Sequence, residues 1–267
     1  MEPTLLIAML LAVLVGVSLG LLGGGGSILT VPILTYVVGM DAREAIASSL
    51  FIVGMTSAVS MLTHARAGRV QWKTGIIFGG AGMVGAFAGG IAGGYISSVV
   101  LMLLFAVMMI ATSVAMIRGR KPAKAEVAGA TGAAPGQVPH LPLFRVVLDG
   151  LLVGLATGLV GAGGGFLVVP ALNLLGGLPM VIAVATSLLV IVMKSFAGLA
   201  GYLFSVQLDW PIVLGFTGVA IVGSLLGVKL AGLVPEKALR RGFGWFVLVM
   251  GVFVLVQEIP KLLGGFA

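Results

Sequence analysis

The chain has 267 residues, 60% of them hydrophobic and only 9% charged, with a formal net charge of +7. A water-facing domain carries about 25% charged residues, so too few polar groups are present to cover a soluble globule, and most of this surface is built for lipid. There is no cysteine, and the two histidines and eight scattered acidic residues show no metal-site spacing. That excludes disulfides, thiol catalysis and thiolate-held metals, and implies no cofactor. Most basic residues lie in loops between apolar spans, where they read as topology signals and not as a nucleic-acid surface.

In chain order, Met1-Glu2-Pro3-Thr4 lacks a basic n-region, and the apolar run 4–22 leads into a glycine tract. It reads as a retained first span, not a cleaved signal peptide. Further apolar windows cover roughly 45–63, 74–94, 97–117, 144–160, 180–204, 211–232 and 241–257. Two apolar pieces, 27–39 and 165–176, each follow a glycine tract. They fall short of the ~20 residues a spanning helix needs. The one extended polar stretch, RGRKPAKAEVAGATGAAPGQVPHLP from Arg118, is a linker near the chain's middle. The organisation expected is a first transmembrane repeat at 1–118, a cytoplasmic linker at 119–143 and a second repeat at 144–267.

The two halves align without gaps at an offset of 138 residues. GVSLGLLGGGGSILTVPIL (16–34) matches GLATGLVGAGGGFLVVPAL (154–172) at ten of 19 positions. The register continues downstream, pairing Ala47-Ser48-Ser49-Leu50 with Ala185-Thr186-Ser187-Leu188, Ser57 with Ser195, and Trp72 with Trp210. Gly85, Gly89 and Gly94 fall on Gly223, Gly227 and Gly232. Charges separate the equivalent loops. The loop 64–73 carries Arg66, Arg69 and Lys73, whereas its counterpart 203–210 carries only Asp209. Conversely 94–98 is uncharged, and 229–241 carries Lys229, Lys237, Arg240 and Arg241. Because basic loops stay cytoplasmic, equivalent loops fall on opposite sides. The fold class expected is therefore an all-α polytopic membrane protein with two inverted repeats, both termini outside and the linker inside. A parallel four-plus-four arrangement is the competing reading.

Each repeat carries a glycine run ahead of a proline: Gly23-Gly24-Gly25-Gly26-Ser27 before Pro32, and Gly161-Ala162-Gly163-Gly164-Gly165 before Pro170. Each glycine lowers helix propensity by about 1 kcal/mol, so the helix should break at membrane depth. Broken backbone is tolerated in lipid only against protein or a polar cavity, and the N–H groups opening the next short helix can hold an anion. Paired interrupted segments in two repeats are a pointer to a transporter's substrate site. The plainer reading of the glycines is tight helix packing.

Other candidate ligands follow the breaks. Ser48, Ser49, Thr186 and Ser187 could replace water around an oxyanion, or simply bond to the preceding helical turn. Asn173 could line the cavity or cap the short helix. Lys194 stands near the middle of the span 180–204. A lysine there costs about 2.5–3.5 kcal/mol on insertion scales, so it faces a cavity or partner, unless it snorkels from a misplaced span. Its first-repeat counterpart is Thr56.

The tracts GLLGGGGSILTVP and GLVGAGGGFLVVP, with the downstream Ala-Ser/Thr-Ser motifs, resemble those of the sulfite exporter TauE/SafE family, over nearly the whole chain outside the linker. Ser27 departs from the second repeat's Gly165. The resemblance implies a secondary transporter, exporting small sulfur-containing anions such as sulfite or organosulfonates across a bacterial inner membrane, and not an enzyme. The substrate-binding set expected is Gly23, Gly24, Gly25, Gly26, Ser27, Ser48, Ser49, Gly163, Gly164, Gly165, Asn173, Thr186, Ser187 and Lys194. The partners expected are a small anion, membrane lipid and, where copies associate, a homo-oligomer. A negative cell interior drives anions outward by about 2.3 kcal/mol per charge per 100 mV, so such an exporter could run on voltage alone. The alternative is an anion channel with a glycine-rich filter.

Overall fold

The structure, a computed structural model, describes residues 3–22, 25–118, 143–161, 168, 172, 180–230 and 236–264. Every element among them is helical. Helix α1 (Pro3–Leu22) opens on a proline, which suits a first turn whose N–H groups have no intrahelical partner. Within the first glycine tract, from Gly25, the chain runs as a 3₁₀ turn (Gly25–Leu29), a short α2 (Thr30–Ile33) and a π turn (Leu34–Val38). Pro32 has no N–H to give the carbonyl of Ile28, and the helical pitch differs on either side of it. Gly39 ends the segment at φ 85°, a conformation a side chain would oppose, and the Met40 N–H returns to the Leu34 carbonyl.

Helix α3 (Ala42–Arg66) begins at Asp41, whose Oδ1 accepts the Arg43 N–H at 2.9 Å. Then follow α4 (Trp72–Tyr95), α5 (Ser98–Arg118), α6 (Leu143–Val160), α7 (Met180–Tyr202), α8 (Trp210–Leu230) and α9 (Glu236–Gly264). The helices reach several residues beyond some apolar windows, because caps and polar end-turns carry no hydropathy signal. Four helical stretches are long and apolar enough to cross a membrane: Ala42–Arg66, Trp72–Tyr95, Ile182–Tyr202 and Trp210–Leu230. Shorter apolar stretches at Ile7–Leu21, Ser27–Val38, Ser98–Val114, Val147–Val160 and Gly244–Pro260 accompany them. The linker 119–142 and nearly all of 162–179 lie outside the described residues.

Helices meet through bare backbone. A Cβ added at Gly16 or Gly20 of α1 would collide with the carbonyls of Ala220 or Ser224 in α8. At Gly154 or Gly158 of α6 it would collide with those of Gly82 or Ala86 in α4. The reverse faces match: Gly223 and Gly227 meet the Val13 and Val17 carbonyls, as Gly85 and Gly89 meet those of Leu151 and Leu155. Each contact in one pair of helices has its counterpart 138 positions away in the other. Helix α1 is thus seated on the glycine face of α8, and α6 on that of α4.

Contact order gives the directions. Residue numbers rise together where α1 meets α8 and where α4 meets α6, so each of these pairs is parallel. The same holds for α4 and α7, where Gly75 meets Leu189 and Gly90 meets Gly198. Across α3 and α7 the order reverses, with Gly54 against Ser195 and Gly198 against Leu50. These two helices, equivalent in the sequence alignment, run antiparallel.

The buried core gathers Ile46, Leu50, Phe105, Tyr202 and Phe216 from α3, α5, α7 and α8. Outward-facing side chains are apolar as well, among them Leu10, Val84, Val107, Leu214 and Val249, as a lipid-facing surface requires. Trp72 and Trp210 stand half-exposed at the starts of α4 and α8, the headgroup level that aromatic rings favour.

The backbone contacts leave no room for a side chain. Gly20→Leu and Gly158→Leu, equivalent positions in the two halves, are each expected to cost about 3 kcal/mol or more, the upper range of overpacking. Thermal unfolding in detergent should show a lowered midpoint for both, while Gly80→Ala, where an added Cβ meets nothing, should leave it unchanged.

Candidate functional site

The middle of the molecule is the crossing of α3 and α7, and its polar side chains fall into two groups. Some are satisfied within the protein. Ser49 Oγ donates to the Gly161 carbonyl at 2.8 Å, tying α3 to the end of α6 where the second glycine tract begins. Gly161 itself takes φ 70° with Ile46 packed against it. Thr186 Oγ1 accepts the N–H of Gln71, the residue before α4, at 3.1 Å. Ser187 Oγ donates to the Val184 carbonyl at 2.7 Å. Thr56 Oγ1 donates to the carbonyls of Ile52 and Val53 in its own helix.

The others are buried with no hydrogen-bond partner among the described residues. These include Lys194 Nζ and the hydroxyls of Ser48, Ser57, Ser195 and Thr30. Lys194 is 1% exposed, near the middle of α7. Its Cγ and Cδ run over Gly82 of α4, where an added Cβ would come within 3.0 and 2.6 Å of them. The Gly150 carbonyl of α6 lies 3.4 Å from the same point. Lys194 is therefore enclosed by α4 and α6, and does not snorkel to an interface. One turn back along α7, Val190 packs with Phe78, Val168 and Leu172. Those last two follow the second glycine tract in sequence, and their side chains pack one helical turn from the lysine stem.

Ser195, next to Lys194, faces the other way. Its Cβ lies 3.3 Å from a Cβ built at Gly54, on the α3 side of the crossing. Ser57, one turn further along α3, is its sequence equivalent and equally buried. Glycine at 54 is what lets the two helices approach here.

The fourteen residues expected from sequence are thus distributed as follows. Gly23, Gly24, Gly163, Gly164, Gly165 and Asn173 lie outside the described residues. Gly25 and Gly26 open the 3₁₀ turn, and Ser27 is fully buried within it. Ser49, Thr186 and Ser187 make the structural bonds given above, while Ser48 and Lys194 make none with described residues. Thr186 and Lys194 stand eight residues apart on α7, about 12 Å along the axis, so the hydroxyls and the ammonium do not converge on one point.

Sequence reasoning passed over Ser57 and Ser195 as ligands, although the duplication had already paired them. It also passed over Glu258. This carboxylate is 3% exposed in α9 and accepts the Tyr36 hydroxyl at 3.0 Å. The available signal was one acidic residue directly after the apolar window 241–257, two residues before Pro260. Two other acids join helix ends: Asp41 accepts the Ser98 hydroxyl at 2.9 Å, and Glu44 accepts the Asp209 N–H at 3.2 Å.

Lys194→Met keeps the stem and removes the ammonium. It is expected to raise the thermal midpoint in detergent, since the substitution relieves part of the ~2.5–3.5 kcal/mol cost of a central lysine. A lowered midpoint would mean that the ammonium is tied down by the protein itself.

These features agree with the comparisons to known proteins. The sequence profile described as "Sulfite exporter TauE/SafE" matches residues 8–254. A "Probable membrane transporter protein" of Xylella fastidiosa (strain 9a5c) is 34% identical over 256 residues, covering 93% of this chain and 94% of the relative. Another, of Methanocaldococcus jannaschii, is 30% identical over 275 residues, covering 96% and 98%. A third, of Bacillus subtilis, is 25% identical over 250 residues, covering 94% of this chain and all of the relative. No solved structure matches the chain significantly. The chain belongs to the sulfite exporter TauE/SafE family and is a multi-pass membrane transporter, not an enzyme.

Proposed function

We propose that this protein is a secondary transporter exporting small sulfur-containing oxyanions, sulfite or organosulfonates, across a bacterial inner membrane. Its two halves act as inverted repeats that alternate access to a site between them. The observation that carries the anion reading is Lys194: an ammonium at mid-span, almost fully buried, with no oxygen partner among the described residues. A charge in that position needs a counter-ion, and a passing anion supplies one. The hydroxyls of Ser57 and Ser195 are further neutral donors without a partner among the described residues, on the α3 side of α7 and away from the lysine stem.

The inverted reading is supported by the antiparallel run of α3 and α7 and by the exchange of α1 and α6 between halves. In this reading the termini lie outside and the linker 119–143 inside. The class of anion is supported by the family name alone. Alternating access is favoured over a fixed channel by the division into two interlocked halves, each carrying its own glycine tract in sequence.

The test is flux of radiolabelled sulfite and methanesulfonate in proteoliposomes at a set membrane potential, comparing wild type with Lys194→Ala. Wild type should show saturable, voltage-driven flux and counterflow, and the variant a loss of about tenfold or more, the scale of one charge-assisted bond. Equal flux in both would remove Lys194 from the path. Flux that neither saturates nor supports counterflow would favour the channel.

A further inference from the structure

The equivalent helices α3 and α7 each bring a buried hydroxyl near the chain that enters another helix, and only one of the two is used. Thr186, in the second turn of α7, accepts the N–H of Gln71, the residue before α4, at 3.1 Å. At the 138-residue offset its counterpart is Ser48 on α3, and that of Gln71 is Asp209, the residue before α8. The corresponding bond is not made. Ser48 is fully buried with no hydrogen-bond partner among the described residues, and the Asp209 N–H goes to Glu44 Oε1 at 3.2 Å.

Packing accounts for the difference. Gly75, in the first turn of α4, is bare where it crosses α7, and a Cβ built there would lie 3.2 Å from Thr186 Cγ2 and 2.7 Å from Leu189 Cδ2. The start of α4 can therefore settle over Thr186. The equivalent residue of α8 is Val213, which is buried and carries a side chain that opposes so close an approach to Ser48.

Glu44 and Ser48 are four residues apart on α3, so they share one face and lie about 6 Å apart along the axis. A slide of the start of α8 by one helical turn along α3 carries the Asp209 N–H from one acceptor to the other. Shifts of one turn between packed elements are an established form of switching. On α7 the position equivalent to Glu44 is Ile182, whose side chain accepts nothing. Because α3 and α7 run antiparallel, Thr186 and Ser48, each near the start of its helix, stand toward opposite ends of the molecule.

We propose that Thr186 with Gln71, and Ser48 with Asp209, are paired latches at the two ends of the transport path, made in alternation, with Glu44 holding Asp209 while the second latch is open. These are positioning residues: they set which end is shut and do not touch the anion. The inference rests on the transporter with inverted halves proposed above, in which the Gln71 end is cytoplasmic and the Asp209 end outside. The structure then stands with its cytoplasmic latch made and its outer latch unmade. In the opposite state the Asp209 N–H moves one turn inward to Ser48, Glu44 returns to water, and Thr186 releases Gln71. Only hydrogen-bond partners change, and no proton or covalent bond is transferred.

The chain has no cysteine, so a single introduced thiol reports without background. Ser195→Cys places one at the α3–α7 crossing. Its labelling by a membrane-impermeant methanethiosulfonate is timed from the outer face in right-side-out vesicles and from the inner face in inverted ones. The ratio of outer to inner rates reports which end is open. Thr186→Val keeps the shape, removes the cytoplasmic latch and should lower this ratio about fivefold, the scale of one net hydrogen bond. Glu44→Leu should lower it as well, and Glu44→Gln, which keeps a side-chain oxygen, should lower it less. Ser48→Ala removes the outer latch and should raise it. A merely structural role would not move the ratio in opposite directions. Hydrogen exchange of the two backbone amides is the second readout and serves even where the thiol is reached from neither face. Thr186→Val should speed exchange at Gln71 and slow it at Asp209, at the far end of the molecule. Thr186→Val and Ser48→Ala moving the ratio the same way, neither moving it, or Asp209 exchange indifferent to Thr186→Val would each overturn the proposal. Absent counterflow of sulfite and methanesulfonate in wild type would overturn the substrate reading instead. Labelling and exchange need no substrate and still decide the latches.

Discussion

Lipid offers helices neither hydrogen bonds nor a hydrophobic push toward each other, so what holds this molecule together is the close approach of backbones over faces without side chains. Gly16, Gly20, Gly223 and Gly227 make one such seam, and Gly154, Gly158, Gly85 and Gly89 make the other. At each seam the first helix of one half lies on a helix of the other half. The halves are therefore interlocked, not side by side, and neither can be removed without exposing backbone to hydrocarbon. The central helices α3 and α7 are carried between the seams, and their own contact at Gly54 is of the same kind.

The same economy explains which polar groups stand out. In a membrane protein most buried hydroxyls bond to a carbonyl one turn back, as Thr56, Thr112, Thr157 and Thr217 do here. Such bonds are cheap, local and silent about function. Against that background Lys194, Ser57 and Ser195 are conspicuous, since they are buried with no partner among the described residues and such burial costs free energy. A fold that keeps such groups gives up stability for something that occurs at the site. Ser57 and Ser195 lie at the crossing of the two equivalent helices, where a movement of one half against the other would be felt, while Lys194 faces α4 and α6.

Much of this was legible beforehand. The apolar windows, the duplication at Gly16 and Gly154, the break before Ser27 and the depth of Lys194 all depend on local composition or on register, and both survive in one dimension. Ser57 and Ser195 were legible as a pair but not as ligands, because serine in a membrane helix usually bonds to its own backbone and only the packed helices reveal which ones do not. Thr186 shows the converse. Its place in a motif suggested a ligand, whereas its oxygen accepts the N–H that opens α4, a partner 115 residues away in sequence. The glycines at 16, 20, 154 and 158 were aligned as part of the repeat, yet their partners in α8 and α4 carry no sequence mark.

By itself, then, the sequence determined that the chain lives in lipid, that its two halves align in one register, and that a cation lies at mid-span. Those properties follow from hydropathy and from self-similarity, both of which are read along the chain. Tertiary structure alone decided that α1 and α6 cross over to the opposite half, that α3 and α7 meet antiparallel, and that Tyr36 reaches Glu258 across 222 positions. Contacts between helices depend on which faces meet and at what depth. In a chain where nearly every face is apolar, hydropathy does not tell one face from another. Only the packing of glycine against backbone does.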